Sequence, residues 1–234
     1  MDILEITSLV DKKEYEKAKK LINKAISKEG TNKELIKYLG LCNINLGLQD
    51  EALENFELVL EEDEEDALSL YYLAVINLDR GNVIQAEILL KRVIKLRENY
   101  TDAYKSLAVI LFKQNRPEEL LKLYEKVQEL NIEDAQIYDI FAAAMIVNCR
   151  FDKAREFLKK SVEIEPDNPK YYIRLGIAYF SVGNINEALA QYKKALKLDK
   201  NSSEAYYNIG LAYFALEEFI KAYKNMKKAY NFFA

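Results

Sequence analysis

Histidine and tryptophan are absent from the 234 residues, and only three prolines, seven glycines and two cysteines occur. Lack of histidine removes the commonest general base, most metal sites and the Ser-His-Asp and Cys-His nucleophile systems. Cys42 and Cys149 are too few for a disulfide framework or a four-cysteine metal site, and each reads as a small buried apolar residue. No segment approaches the ~20 apolar residues of a membrane span, so no membrane insertion is expected. The opening MDILEITSLVDKKEYEKAKK has no basic stretch followed by an apolar one, so no signal peptide is expected and the cytoplasm is the default. A formal net charge of −4 offers no general attraction to nucleic acid or anionic lipid. No Gly-rich phosphate loop or nucleophile–base pair is seen, and no cofactor is expected. The acidic run Glu61, Glu62, Asp63, Glu64, Glu65 reads as a solvated surface, since no cleft perturbs it. An independent enzyme is therefore not expected.

What is present is a helix-forming chain, 50% hydrophobic and 31% charged, with few breakers. It repeats every 34 residues without a slip. One column is Ala18, Ala52, Ala86, Leu120, Ala154, Ala188 and Ala222. A second is Ala25, Val59, Val93, Val127, Ser161, Ala195 and Ala229. A third is Gly40, Ala74, Ala108, Ala142, Gly176 and Gly210. The units are 1–32, whose first helix is cut short, then 33–66, 67–100, 101–134, 135–168, 169–202 and 203–234, read as one continuous domain.

Each unit holds two amphipathic stretches around a short break, as in KYYIRLGIAYFSVG and INEALAQYKKALKLD of the sixth. Gly47, Gly81, Asn115 and Gly183 fall in the breaks, as left-handed caps require. Pro117 suits the first turn of a helix, and Pro166 stops the helix before it. The small columns let two antiparallel helices approach, with Gly176 and Ala188 expected at the crossing. Large columns fill the surroundings: Tyr104, Tyr138, Tyr172 and Tyr206 in first helices, and Phe56, Leu90, Tyr124, Leu158, Tyr192 and Met226 in second helices. Leu120, where a small residue is usual, predicts a slightly splayed fourth pair. A lone pair cannot bury its faces, so neighbours must stack.

These residues resemble the tetratricopeptide repeat family. Its pattern is met in the seventh unit by Tyr206, Ile209-Gly210, Tyr213, Ala222, Met226 and Ala229, and in the sixth by Tyr172, Leu175-Gly176, Tyr179, Ala188, Tyr192 and Ala195. The chain departs from it in having no Trp and in meeting the closing Pro only at Pro166. The resemblance implies an all-α, right-handed superhelical solenoid of antiparallel helix pairs whose concave groove is lined by first helices. By place in the motif, the groove residues are Lys37, Leu41 and Ile44; Tyr71, Val75 and Leu78; Lys105, Val109 and Phe112; Asp139, Ala143 and Ile146; Lys170, Ile173, Arg174, Ile177 and Phe180; and Tyr207, Leu211 and Phe214. Two apolar rows stand out, 41-75-109-143-177-211 and 44-78-112-146-180-214.

The resemblance implies a protein–protein interaction scaffold, and the apolar rows point to a partner peptide or amphipathic helix with apolar anchors. Packing between repeats, or cover by another copy, is the alternative for the same rows. Lys170 and Arg174 match one helix of the family's clamp for acidic chaperone tails. Val109 and Ile140 stand where that clamp needs Asn, and only Lys105 is otherwise in place, so the clamp is incomplete. A self-assembling structural scaffold and the recruiting domain of a larger enzyme are the other readings. The second unit carries 2 basic and 11 acidic residues and the sixth carries 6 and 2, a dipole that could favour head-to-tail association. The N-terminal unit reads as an adequately polar end. Tyr223, Tyr230, Phe232 and Phe233 read as an uncovered apolar end, a route to homo-oligomers or the edge of a longer protein.

Overall fold

The computed structural model describes residues 3–233, and every regular element among them is an α-helix. In chain order these are α1 (Ile3–Asp11), α2 (Tyr15–Glu29), α3 (Lys33–Asn45), α4 (Gln49–Glu62), α5 (Ala67–Asp79), α6 (Val83–Leu96), α7 (Thr101–Lys113), α8 (Pro117–Glu129), α9 (Ala135–Val147), α10 (Phe151–Ile164), α11 (Pro169–Phe180), α12 (Ile185–Leu198), α13 (Ser203–Ala215) and α14 (Phe219–Phe233). Odd-numbered helices are the first helices of the repeats and even-numbered ones the second, an all-α helical repeat solenoid. Among the described residues no helix is long and apolar enough to cross a membrane.

The turn inside each repeat has one physical solution, used seven times. Lys13, Gly47, Gly81, Asn115, Cys149, Gly183 and Glu217 stand 34 apart, and all have φ between 54° and 80°. Each closes a first helix with a paired backbone motif: Gly183 N–H donates to Phe180 C=O at 2.9 Å, and Asn184 N–H donates to Tyr179 C=O at 3.0 Å. The left-handed residue satisfies carbonyls that the helix end leaves orphaned. Glycine and asparagine adopt this conformation readily, whereas Lys13, Cys149 and Glu217 adopt it at a cost. The expectation of a buried apolar Cys149 is thereby corrected. Its thiol is exposed, because the turn column lies at the surface. Cys42 is buried, which pushes its thiol up to about 11.

Entry into the first helices also follows a column. Asn32, Asp66, Asp134, Asn168 and Ser202 each accept, through a side-chain oxygen, a backbone N–H of the first helical turn. Tyr100 fills the sixth place in that column and has no acceptor oxygen suited to the role. Pro117 and Pro169 sit in the first turns of α8 and α11, and Pro166 follows the end of α10.

The chain divides into two compact units, Met1–Ala103 and Tyr104–Ala234. In the first, Ile6, Ala18, Ile22, Ala25, Leu35 and Cys42 form a buried cluster. In the second, Ile173, Ala188, Leu189, Tyr192, Ala195, Ala205, Ile209 and Ala212 form another. The glycines of the third column face the large second-helix column. A Cβ added at Gly40 would lie 2.8 Å from the Phe56 ring, at Gly176 2.6 Å from Tyr192 Cδ1, and at Gly210 2.7 Å from Met226 Cγ. Gly176 therefore makes room for a tyrosine ring one turn beyond Ala188, which refines the expected crossing. Where the column holds Ala74 and Ala142, the register partners are the smaller Leu90 and Leu158. Ala108 is opposite Tyr124, whose ring turns onward to Tyr138, Phe141 and Phe157 at centroid distances of 6.3, 5.4 and 4.5 Å. Leu120 is buried like the alanines of its column.

The acidic run is not uniformly solvated. Glu61, Glu62, Glu64 and Glu65 are exposed, but Asp63 accepts from Lys33 Nζ at 2.8 Å. At the end of the run, Asp66 caps α5 and accepts from Lys37 Nζ at 3.0 Å.

Candidate functional site on the first-helix face

In the first unit, Leu41 and Ile44 of α3 and Val75 and Leu78 of α5 are all half-buried. Lys37 lies among them with its ammonium between Glu34 (2.8 Å) and Asp66 (3.0 Å). Burial opposes its charge, yet those two carboxylates hold the ammonium above its ordinary pKa. The Asp66 carboxyl is likewise opposed by burial, and the Ser69 N–H and Lys37 hold it below the usual carboxylate range. The Tyr71 ring packs between Tyr72 and Tyr100, at centroid distances of 5.3 and 5.2 Å.

In the second unit, Val109 and Phe112 on α7, Ala143 and Ile146 on α9, Ile177 and Phe180 on α11, and Leu211 on α13 are half-buried, and Phe214 is exposed. From the second repeat to the seventh the members of both rows are thus half-buried, except Phe214. Ile177 and Phe180 pack against the buried cluster of this unit. Helix α11 touches both α9 and α13, which makes the face continuous across three repeats.

The charged residues expected on this face are brought together, but with one another. Asp139, only 4% exposed, accepts from Arg174 at 2.6 Å and Lys170 at 2.9 Å. Lys105 pairs with the α9 cap Asp134 at 3.2 Å. The Lys170–Arg174 pair, which matches one helix of the family's acidic-tail clamp, already holds a carboxylate from its own chain. A bare Asp139 among apolar groups would be costly, so this neutralisation is what lets it sit there. Ile173, expected on the groove, is instead 4% exposed and belongs to the buried cluster. One position before Arg174, it points toward the core.

Tyr207, also expected on the face, lies apart from the rows. It is half-exposed and lines a pocket of about 480 Å³ with Ser203, Glu204, Met226, Ala229 and Tyr230 at the α13–α14 end. Tyr223 and Tyr230 are exposed as expected, and Phe232 is exposed on one side while stacking on Tyr206 at 5.7 Å. The Phe233 side chain lies outside the described residues. The expectation of a polar N-terminal end needs correction, because Ile3 and Leu4 of α1 are exposed at 41% and 76%. The sequence signal was there, in the two adjacent apolar residues that open α1. The cap column at 32-66-134-168-202 was also visible at the 34-residue spacing.

Comparison with known proteins matches two models in the C-terminal part of the chain. One, described as TPR repeat, covers residues 178–217, and another, tetratricopeptide repeat, covers 203–232. Similar solved structures include the C-terminal part of a TPR repeat-containing protein from Cytophaga hutchinsonii, 17% identical, spanning 100% of both chains with a TM-score of 0.77. A tetratricopeptide repeat protein from Parabacteroides merdae is 18% identical, with 98% of this chain and 91% of that chain covered and a TM-score of 0.68. YrrB, described as a TPR protein with an unusual peptide-binding site, is 21% identical over 77% of this chain and 93% of its own, with a TM-score of 0.66. No curated protein sequence matches.

Proposed function

Because the chain is a tetratricopeptide-repeat protein, we propose that it is a non-enzymatic interaction scaffold that holds a partner's peptide against the first-helix face of its second unit. The observation that carries this reading is the pair of apolar rows, half-buried from the second repeat to the seventh except at the exposed Phe214. Half-burial fixes the rotamers before a ligand arrives, so less side-chain entropy is lost on binding. The tips still offer apolar area to anchors of a peptide, the mode in which helical grooves bind. The charges argue for the same ligand chemistry. Lys105, Lys170 and Arg174 are engaged with Asp134 and Asp139, which favours an apolar peptide over an acidic tail.

The test is a display library of random twelve-residue peptides panned on the 234-residue chain, followed by anisotropy with the enriched peptide. Sequences with two or more apolar anchors are expected. Their binding should weaken at least about tenfold, roughly 1.4 kcal/mol, in the Val109→Glu/Phe112→Glu/Ile177→Glu variant and in the milder Phe214→Glu variant. Circular dichroism checks that both remain helical. Equal binding by all three proteins would overturn the proposal, as would enrichment of acidic peptides that depend on Lys170.

A further inference from the structure

The second helices of the fifth, sixth and seventh repeats carry one arrangement three times. Lys160, Lys194 and Lys228 stand 34 apart on α10, α12 and α14. One helical turn after each comes an apolar residue on the same face, Ile164, Leu198 and Phe232. These are 36%, 42% and 46% exposed, so a row of outward apolar side chains runs beside the row of ammonium groups. Ile164 and Leu198 are each followed by a further repeat, which makes their exposure a property of the register.

The three lysines are held in place and yet unpaired. Each ammonium lies over the tyrosine of its own repeat, Tyr138, Tyr172 or Tyr206. Lys160 also donates to the Tyr124 hydroxyl at 3.0 Å. Among the described residues no carboxylate lies within ion-pair distance of any of the three. Earlier repeats differ in this register. Leu58 stands there in the second, Arg92 meets Glu64 at 3.8 Å in the third, and Lys126 meets Glu129 at 3.4 Å in the fourth. A ring beneath an ammonium fixes its stem but leaves donor hydrogens to solvent, so an arriving anion costs little side-chain entropy. At α10 the row opens onto a cavity of about 530 Å³, lined in part by Gln128, Asn131, Tyr138, Lys160 and Ile164. The turn beside it breaks the period. Helix α8 ends at Glu129, one residue short of the register at which α10 and α12 end, and Asn131 is left-handed at φ 50°. The Gln128 and Asn131 amides there suit the unpaired backbone groups of an extended strand.

We propose that this second-helix edge binds an extended acidic–apolar segment of another protein. Its carboxylates meet Lys160, Lys194 and Lys228, and its apolar side chains meet Ile164, Leu198 and Phe232. Two features favour a single peptide strand over other polyanions. The tyrosine faces on which nucleobases would stack are already taken by lysines. An anionic bilayer is wide and would press its phosphates onto the exposed Glu163, Glu165 and Asp199 beside the row, whereas a strand passes between them. The edge is separate from the first-helix face and stands independently of it.

The test is anisotropy of a fluorescein-labelled peptide of four Glu-Leu-Asp repeats on the 234-residue chain, with four Gln-Leu-Asn repeats as the uncharged control. Binding of the acidic peptide should fall with salt. It should exceed that of the control at least about tenfold, and weaken at least about tenfold in Lys194→Glu/Lys228→Glu, both at exposed positions. Lys122→Glu/Lys153→Glu makes the same charge change away from the row and should bind within about twofold of the parent. Circular dichroism checks that both variants remain helical. Methyl NMR with the acidic peptide should move Ile164 and leave Ile146 and Ile177 in place, so failure here is distinct from failure of the groove reading. Equal losses in the two variants, or shifts at Ile146 and Ile177 alone, overturn the proposal. So does tighter binding, dependent on Lys194 and Lys228, of a twelve-nucleotide single-stranded DNA or of phosphatidylserine vesicles.

Discussion

Where α3 and α5 place Ile36 and Leu70, the four first helices of the second unit place Tyr104, Tyr138, Tyr172 and Tyr206. A second-helix column changes with them, from Leu58 and Arg92 to Lys126, Lys160, Lys194 and Lys228. In the last three repeats that lysine sits over the tyrosine of its own repeat, 5.2, 5.7 and 5.1 Å from the ring centroid. One register thus holds Ile36 with Leu58 and Leu70 with Arg92 in the first unit, and a tyrosine with a lysine in the second. The second solution adds a cation–π attraction of about 0.5–1 kcal/mol at such exposed sites and extends the apolar surface under a charged rim. The units also differ in how repeats are tied. The first relies on Lys33–Asp63 and Lys37–Asp66 across α3 and the turn before α5. The second adds the buried Asp139 neutralised by Lys170 and Arg174 on the next repeat.

That contrast can be tested by substitutions at matched positions. The largest effects should come from the buried rings, Phe56→Ala in the first unit and Tyr192→Ala in the second, each losing about 3–5 kcal/mol in urea unfolding followed by circular dichroism. A sharper pair is Gly40→Ala against Gly176→Ala. Overpacking against the ring should cost about 1–3 kcal/mol, more at Gly176, where the tyrosine is closer. Tyr192→Leu should recover most of the loss in the Gly176→Ala background, because Ala142 faces Leu158 in the same register. Failure to recover in that double-mutant cycle would disprove the pairing of ring with glycine.

Arg174→Ala should cost about 2 kcal/mol, toward the low end for breaking a buried charge pair, since Lys170 still neutralises Asp139. The carboxylates that hold Lys37, Glu34 and Asp66, are more exposed than Asp139, so Lys37→Ala should cost less. Smaller and opposite in sign, Cys149→Gly and Glu217→Gly should each stabilise by about 0.5–1 kcal/mol, as a left-handed position favours glycine by somewhat more than the chain entropy it adds. An Asn115→Gly change should do less. The smallest effect is on pH. The Asp66 carboxyl is held below its ordinary 3.8 in the folded chain, so its contribution is present above that value and lost as pH falls through and below it. Asp66→Asn, which keeps a capping oxygen, should remove that part of the acid limb and leave stability between pH 5 and 8 nearly level.

The fold was legible because the 34-residue period carries so much of it: small residues at 18-52-86-154-188-222 are buried, and glycine meets ring where the columns said small meets large. Boundaries were legible too, since Gly183 and Pro117 mark real ends. The period does not report exposure: Met226 obeys the pattern of its column yet is only half-buried, and Leu4 is exposed. Nor does it report pairing across repeats. Asp139 and Arg174 each read as a groove residue facing a ligand, and only the packing of α11 on α9 shows that they satisfy each other. Cys149 was misread because its residue type suggested burial while its column demanded a turn.

The central claim, that the apolar first-helix face of the second unit is the working surface, is tested most directly by methyl NMR during titration with the enriched peptide. The account predicts that the Ile146 and Ile177 methyl signals move together with the binding curve, while Ile164 and Ile220 on second helices stay in place. Shifts confined to Ile164 and Ile220, with Ile146 and Ile177 unchanged at saturation, would contradict it.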